Sequence, residues 1–353
     1  MWEPEFIVAA DGSLTCHFSD ETEQSDHSQF LAMVVSKDGG KTWGPKIKTV
    51  ASDKQPLRPG MSTVRRLPSG KYIMTYEICG YTPAPCAAFV RSSPDGLNWG
   101  DPNDLGTRVF SNDGDYPAHT PVLAWMPGPG PDGRLILSMQ MYHDRFGLEH
   151  PRMGQVLLVN TTGGEGPWLE VNAPMKLSGI YDNYCPNYSS PVLPAADGSS
   201  LLLIATNYDG SACKPYFATG ALGTKYAVPD TAKGTGNGQL VYSGRWGQIE
   251  ASSKKIGEHT AKQTGSSVSL KFYGSSASLL ASLAPNHGIA EISLDGARVE
   301  RIDLHSSVKK FKQSVYTSPK LELGWHTITV RSSGEKNTKS TGTQIALSGF
   351  EFE

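Results

Sequence analysis

The chain has 353 residues, with 32 Lys and Arg against 34 Asp and Glu, a net charge of -2 and only 19% charged residues. That balance gives no electrostatic case for a nucleic-acid or anionic-membrane partner, and no apolar run is long enough for a spanning helix. The 38 glycines and 24 prolines predict many turns and little helix, in a chain long enough for two domains.

Trp2-Glu3-Pro4-Glu5 leads directly into a strand, and no signal peptide is recognisable at Met1. Glu3 to Phe18 reads as a hairpin turning at Asp11-Gly12. Arg58 to Glu77, Thr120 to Met141 and Tyr188 to Thr206 repeat it, turning at Ser69-Gly70, Asp132-Gly133 and Asp197-Gly198. The turns recur at intervals of 58, 63 and 65 residues, which suits four-stranded propeller blades with long loops. After the first hairpin, Gln29 to Val35 supplies a third strand. Ser36 to Trp43 (SKDGGKTW) then fits the Asp-box pattern SxDxGxxW, in which the Asp side chain holds a tight turn. Ser92 to Trp99 is a second instance with its Asp one place late, and Glu165 to Trp168 a decayed third. Asp38 and Asp95 are therefore expected to be turn residues.

Five cysteines do not pair off: Cys79 with Cys86 and Cys185 with Cys213 are candidate disulfides that would leave Cys16 over, and five reduced thiols are the alternative. From about Ala221 to Gly238 the apolar alternation stops, which reads as a linker. Short alternating strands beyond it predict a β-sandwich. The expected division is 1–222 propeller, 223–238 linker and 239–353 sandwich. The expected fold class is all-β: a sialidase-like propeller with about four blades visible, then the sandwich.

The order WEPE, RPGM, TYE, together with the Asp-box turns, resembles the exo-arabinanases of glycoside hydrolase family 93. The resemblance implies a six-bladed propeller, with two further blades ahead of Met1. It also implies retaining cleavage of α-1,5-linked arabinan with release of arabinobiose, outside the cell. The two catalytic glutamates of that family, in a Trp-Glu-Pro motif and at the end of the next blade's second strand, fall here on Glu3 and Glu77. Retaining cleavage needs two carboxyls about 5 to 5.5 Å apart. Glu5 is the alternative to Glu3, one pleat further along the same face. Tyr188 is expected either beside the pair as a polariser or in the core. Arg58, Asp115 and His119 are candidate ligands for sugar hydroxyls, and Trp2 and Tyr184 candidate sugar platforms.

The segments Ile292 to Gly296 and Leu321 to Val330 resemble jelly-roll carbohydrate-binding modules, with Trp246, Tyr273, Tyr316 and Trp325 as aromatics to test. No metal-ligand spacing or phosphate loop occurs, so no cofactor is expected, and the expected partner is an oligo- or polysaccharide. The rival function is a sialidase-like or inactive glycan-binding propeller. A sialidase would require three converging arginines, and Arg58, Arg91 and Arg152 are the ones to follow.

Overall fold

The structure, a computed structural model, describes residues 1–128, 130–249 and 257–353. Among these every regular element is a strand. The chain divides into two compact units, Met1–Gly223 and Thr224–Glu353.

The first unit is a set of antiparallel sheets in chain order. β1 (Trp2–Val8), β2 (Leu14–Asp20), β3 (Phe30–Ser36) and β4 (Ile47–Val50) form the first. β5 (Arg58–Arg66), β6 (Tyr72–Cys79) and β7 (Ala87–Ser93) form the second. β7 also pairs with β8 (Thr107–Arg108) and β9 (Tyr116–Ala118). The third contains β10 (Val122–Met126) and β11 (Arg134–Ser138), while β12 (Met141–His143) turns back onto β9. β13 (Val156–Asn160) and β14 (Leu169–Asn172) complete the third sheet. β15 (Val192–Pro194), β16 (Leu201–Asp209) and β17 (Ala212–Gly220) make a three-stranded fourth. The four expected hairpins are the first two strands of the four sheets.

Successive first strands lie side by side, β1 against β5, β5 against β10 and β10 against β15, as the inner strands of propeller blades do. Polar pairs register them: Val64 N–H donates to Glu5 Oε1 at 3.4 Å, and Leu123 N–H to Thr63 Oγ1 at 2.9 Å. Apolar surface between neighbouring sheets supplies the adhesion. Ile73, Val90, Leu123, Leu137, Leu158 and the fully buried Trp168 form one cluster across the second and third sheets. Full burial of each such side chain contributes about 1.5 to 3 kcal/mol.

The outer turns show why their residue types recur. Asp38 Oδ1 accepts from the amides of Lys41 (3.0 Å) and Thr42 (2.9 Å), and the Ser36 hydroxyl donates to it at 2.8 Å. These donors, the Thr42 hydroxyl foremost, hold its pKa down at about 2. In the second sheet the matching hydroxyl is that of Ser93, not Ser92, and the loop is one residue shorter, which accounts for the apparent lateness of Asp95. In the third sheet Asn160 Oδ1 caps the amides of Thr162 (2.9 Å) and Gly164 (2.8 Å), so an amide oxygen does there what the Ser36 hydroxyl does for Asp38 and Gly40 in the first. The cysteines pair as Cys79–Cys86 and Cys185–Cys213, with Cys16 free and buried.

The second unit is a two-sheet sandwich. One sheet runs Gly247–Ile249, Glu258–Ala261, Ile345–Phe352, Ala277–Leu283, Lys310–Thr317; the other runs Gln239–Ser243, Ser267–Gly274, Gly324–Ser332, Ile289–Leu294, Ala297–Asp303. Phe272 of one sheet meets Phe352 of the other at 5.5 Å between ring centres. The linker reading of 223–238 needs correction. Tyr226–Pro229 is a strand on Ile345–Phe352, with Tyr226 and Val228 buried, because alternate residues of YAVP face the core although the segment is flanked by Gly, Thr and Lys. Of the four aromatics picked out in this unit, Tyr316 belongs to the core and Trp325 is exposed.

Candidate active site

In the first half of each inner strand or just before it stands a non-glycine residue with positive φ: Glu3 (53°), Met61 (57°), Thr120 (47°) and Ser189 (47°). In the first two sheets the pairing register slips at this point, between Trp2 and Glu5 and between Gly60 and Thr63. An extra left-handed residue of this kind is a β-bulge, which bends the strand and re-aims a side chain. The conformation costs on the order of 1 kcal/mol for a side-chain-bearing residue and persists only if its neighbours hold it. Three of these four amides, those of Met61, Thr120 and Ser189, are held by the preceding sheet. Met61 N–H donates to Ser19 Oγ (3.2 Å), Thr120 N–H to Glu77 Oε2 (2.6 Å) and Ser189 N–H to Thr120 Oγ1 (3.0 Å).

The same bulges gather the carboxylates. Ser19, opposite Trp2, and Glu77, opposite Gly60, occupy equivalent places on the second strands of their sheets. The buried Ser19 hydroxyl donates to Glu3 Oε2 at 3.0 Å while it accepts from Met61 N–H. One hydroxyl thus joins the Glu3 carboxylate to the strand whose Gly60 is paired with Glu77. A Cβ at Gly60 would meet the Gln29 side-chain amide, which would have to swing aside. Burial pushes the Glu77 carboxyl up to about 7; the Thr120 amide opposes the shift, and the charges of Glu3 and Asp182 add to it. Tyr188 lies within the field of both glutamates, and burial together with those charges pushes its phenol up to about 12. Its hydroxyl donates to Met61 Sδ at 3.7 Å. Three side chains from distant parts of the sequence therefore converge at one end of the inner strands.

The remaining expected residues divide. Trp2 and Tyr184 are 58% and 87% exposed, and Tyr184 meets Tyr188 edge-on at 5.6 Å. His119, next to the Thr120 bulge, points Nδ1 at Asp182 Oδ1 (3.7 Å), and burial lowers its pKa. Its ring also lies against Cys79 and Cys86, whose sulfurs are tied up in their disulfide. Arg58 is not aimed at the carboxylate pair; it is bound by Glu21 and by Gln29 Oε1 (2.7 Å) as a brace between the first two sheets.

Asp115 is a correction. It sits one residue before β9, whose far end leads to His119, roughly 13 Å away at about 3.3 Å per residue. There it is buried with Ser111, the Arg145 amide and His150, and burial raises its pKa to about 6. The Asp115, His150 and Glu170 ligand atoms lie within 4.8 Å of one another. However, His150 Nδ1 accepts from the Arg152 amide at 3.2 Å, which leaves the ring proton on Nε2, facing the carboxylates. Glu5 is also settled: the bulge at Glu3 breaks the alternation, and Glu5 pairs with Arg65 of the next inner strand. Arg91 bonds to the carbonyls of Thr49 and Asp101 and Arg152 to Glu170 and Asn172, so the three arginines do not converge. Ser19, Gln140 and Asp182 were not foreseen. For Ser19 the available signal was its place opposite Trp2, which matches that of Glu77 opposite Gly60.

Comparison with solved structures bears on this geometry. The chain superposes on the Penicillium chrysogenum alpha-L-arabinanase complexed with arabinobiose with a TM-score of 0.50 and 25% identity, covering 62% of this chain and 57% of that one. The family 93 alpha-L-arabinofuranosidase of Fusarium graminearum, also solved with arabinobiose, matches with a TM-score of 0.50, 22% identity and the same coverages. Its fold is that of the family 93 β-propellers. The chain spans little more than half the length of these enzymes. No protein-family model and no curated protein matches it.

Proposed function

We propose that the first unit is a retaining exo-glycoside hydrolase acting on arabinan-type polysaccharide, with Glu3 and Glu77 as its two carboxyls and Tyr188 beside them. The observation that supports this most is the convergence of Glu3, Glu77 and Tyr188 on one bulge-lined mouth. Arabinobiose bound in both solved relatives supports an arabinose-containing substrate.

The environments divide the labour. Glu77, with its pKa near 7, still holds a proton in mildly acidic solution and delivers it to the leaving oxygen. Glu3, exposed and fixed by the Ser19 hydroxyl, is the nucleophile that attacks the anomeric carbon. Water then displaces the Glu3 ester, with the ionised Glu77 as base. Trp2 and Tyr184 offer ring faces to the sugars flanking the cut. The two disulfides suit an oxidising compartment, as secretion toward a wall polysaccharide requires.

Azide rescue tests the assignment on arabino-oligosaccharides or an aryl α-L-arabinofuranoside. Glu3→Ala with azide should yield the glycosyl azide of inverted configuration, and Glu77→Ala the retained one. Near-parental hydrolysis in either variant without azide would refute the two-carboxyl reading, and the opposite stereochemistry would reverse the roles.

A further inference from the structure

The segment from Tyr181 to Tyr188, between the third and fourth sheets, is pinned from several sides. Gln140 is fully buried, and its Nε2 donates to the carbonyls of Asn183 (2.5 Å) and Pro186 (3.0 Å), with that of Tyr181 3.4 Å away. The Tyr208 hydroxyl donates to Asn183 Oδ1 at 2.9 Å, and Cys185 is bonded to Cys213. Asn187 Nδ2 donates to the Met139 carbonyl at 2.7 Å. On this pinned backbone the Asp182 side chain is 72% exposed. It stands 3.7 Å from His119 Nδ1 and within the electrostatic field of Glu77 and Tyr188.

We propose that Asp182 is a specificity-determining residue, whose carboxylate accepts hydrogen bonds from hydroxyls of the glycosyl group held between Glu3 and Glu77. This deepens the hydrolase reading and rests on it. An ionised carboxylate is acceptor-only, with two oxygens that can take the O–H groups of a vicinal diol. Preorganisation makes such a contact selective, because the loop spends no ordering entropy when sugar arrives. A site built around a hydroxyl rejects analogues that lack it far better than an apolar pocket rejects an added group.

The experiment uses the full chain. Arabinobiose binding is measured by calorimetry in the Glu77→Gln background, with and without Asp182→Ala or Asp182→Asn. Hydrolysis of an aryl α-L-arabinofuranoside and its 2-deoxy and 3-deoxy analogues is measured in the parent and in Asp182→Ala. The expected result is a Kd at least about tenfold weaker in both Asp182 variants at unchanged melting temperature. The preference for the fully hydroxylated substrate should fall from at least about tenfold to within about threefold in Asp182→Ala, a shift that a merely structural role would not produce. If arabinobiose binds Glu77→Gln equally with and without Asp182, and the deoxy preference is unchanged, the inference fails alone. If Glu77→Gln itself binds no arabinobiose and the parent hydrolyses none of the aryl substrates, the hydrolase reading fails and takes this inference with it.

Discussion

The amide of Thr120 donates to Glu77 Oε2 at 2.6 Å from the neighbouring sheet. This bond fixes one carboxylate oxygen toward the Thr120 bulge, while the other lies 3.6 Å from Cys79 Sγ. It also sets a contest between burial, which favours the protonated acid, and a donor that favours the anion; burial wins.

That contest predicts a pH signature in stability. The Glu77 pKa rises from the ordinary 4.5 to about 7 on folding, so between those values the folded chain binds more protons than the unfolded one. The contribution is fully present below about pH 4.5 and is lost as pH rises through about 7. Glu77→Gln should therefore match the parent near pH 4.5 and exceed its stability at pH 8, by on the order of 2 to 3 kcal/mol. Thermal melts across that range check this; parallel curves for the two proteins would remove Glu77 as the titrating group. The same proton predicts a basic limb near pH 7 in kcat/KM.

Ser19→Ala should separate positioning from chemistry. It frees Glu3 from its one hydroxyl donor and leaves the Met61 amide without an acceptor. A loss of about 1 to 3 kcal/mol of stability is expected, with kcat lowered about tenfold or more and KM little changed. Denaturant titration and steady-state kinetics read both, and an unaltered kcat would show that Glu3 is held by other means.

Replacing Cys185 and Cys213 together by serine opens a loop closed over a sequence separation of 28. The chain-entropy relation gives about 3 to 4 kcal/mol of lost stability. Because the bond also anchors the Asp182 loop, KM should rise more than kcat falls. Equal loss in both would mean that the staple serves folding alone.

Asp95→Ala provides the contrast. Its carboxylate holds the amides of Leu97 (2.8 Å) and Asn98 (2.7 Å) on an outer turn. Lowered thermal stability with unchanged kcat/KM is expected from a melt and an activity assay on one sample. An activity loss at temperatures where the variant remains folded would contradict a purely structural turn.

How much of this could be read from the residues varies with the range of the interaction involved. The hairpins were legible because Asp-Gly and Ser-Gly turns and strand alternation are local signals. Glu3 and Glu77 come from the resemblance to family 93, and for Tyr188 the sequence allows either a place beside the pair or one in the core. The bulges were not legible, because left-handed Met61 and Thr120 are held by hydrogen bonds to another sheet and not by their own residue type. Asp115 was misplaced for a related reason: β9 is a stitch between β7 and β12, a pairing no local pattern announces. The strand at Tyr226–Pro229 is four residues long, too short for its period to stand out against its flanks.

The recurring left-handed step makes the rim a modular mount. Met61, Thr120 and Ser189 share the positive φ of Glu3 near the starts of the inner strands, so each position carries a side chain in that backbone conformation. Acid, thioether and hydroxyl already occupy these seats on one kind of backbone step, which gives such a scaffold a way to vary its rim chemistry while the sheets beneath stay the same.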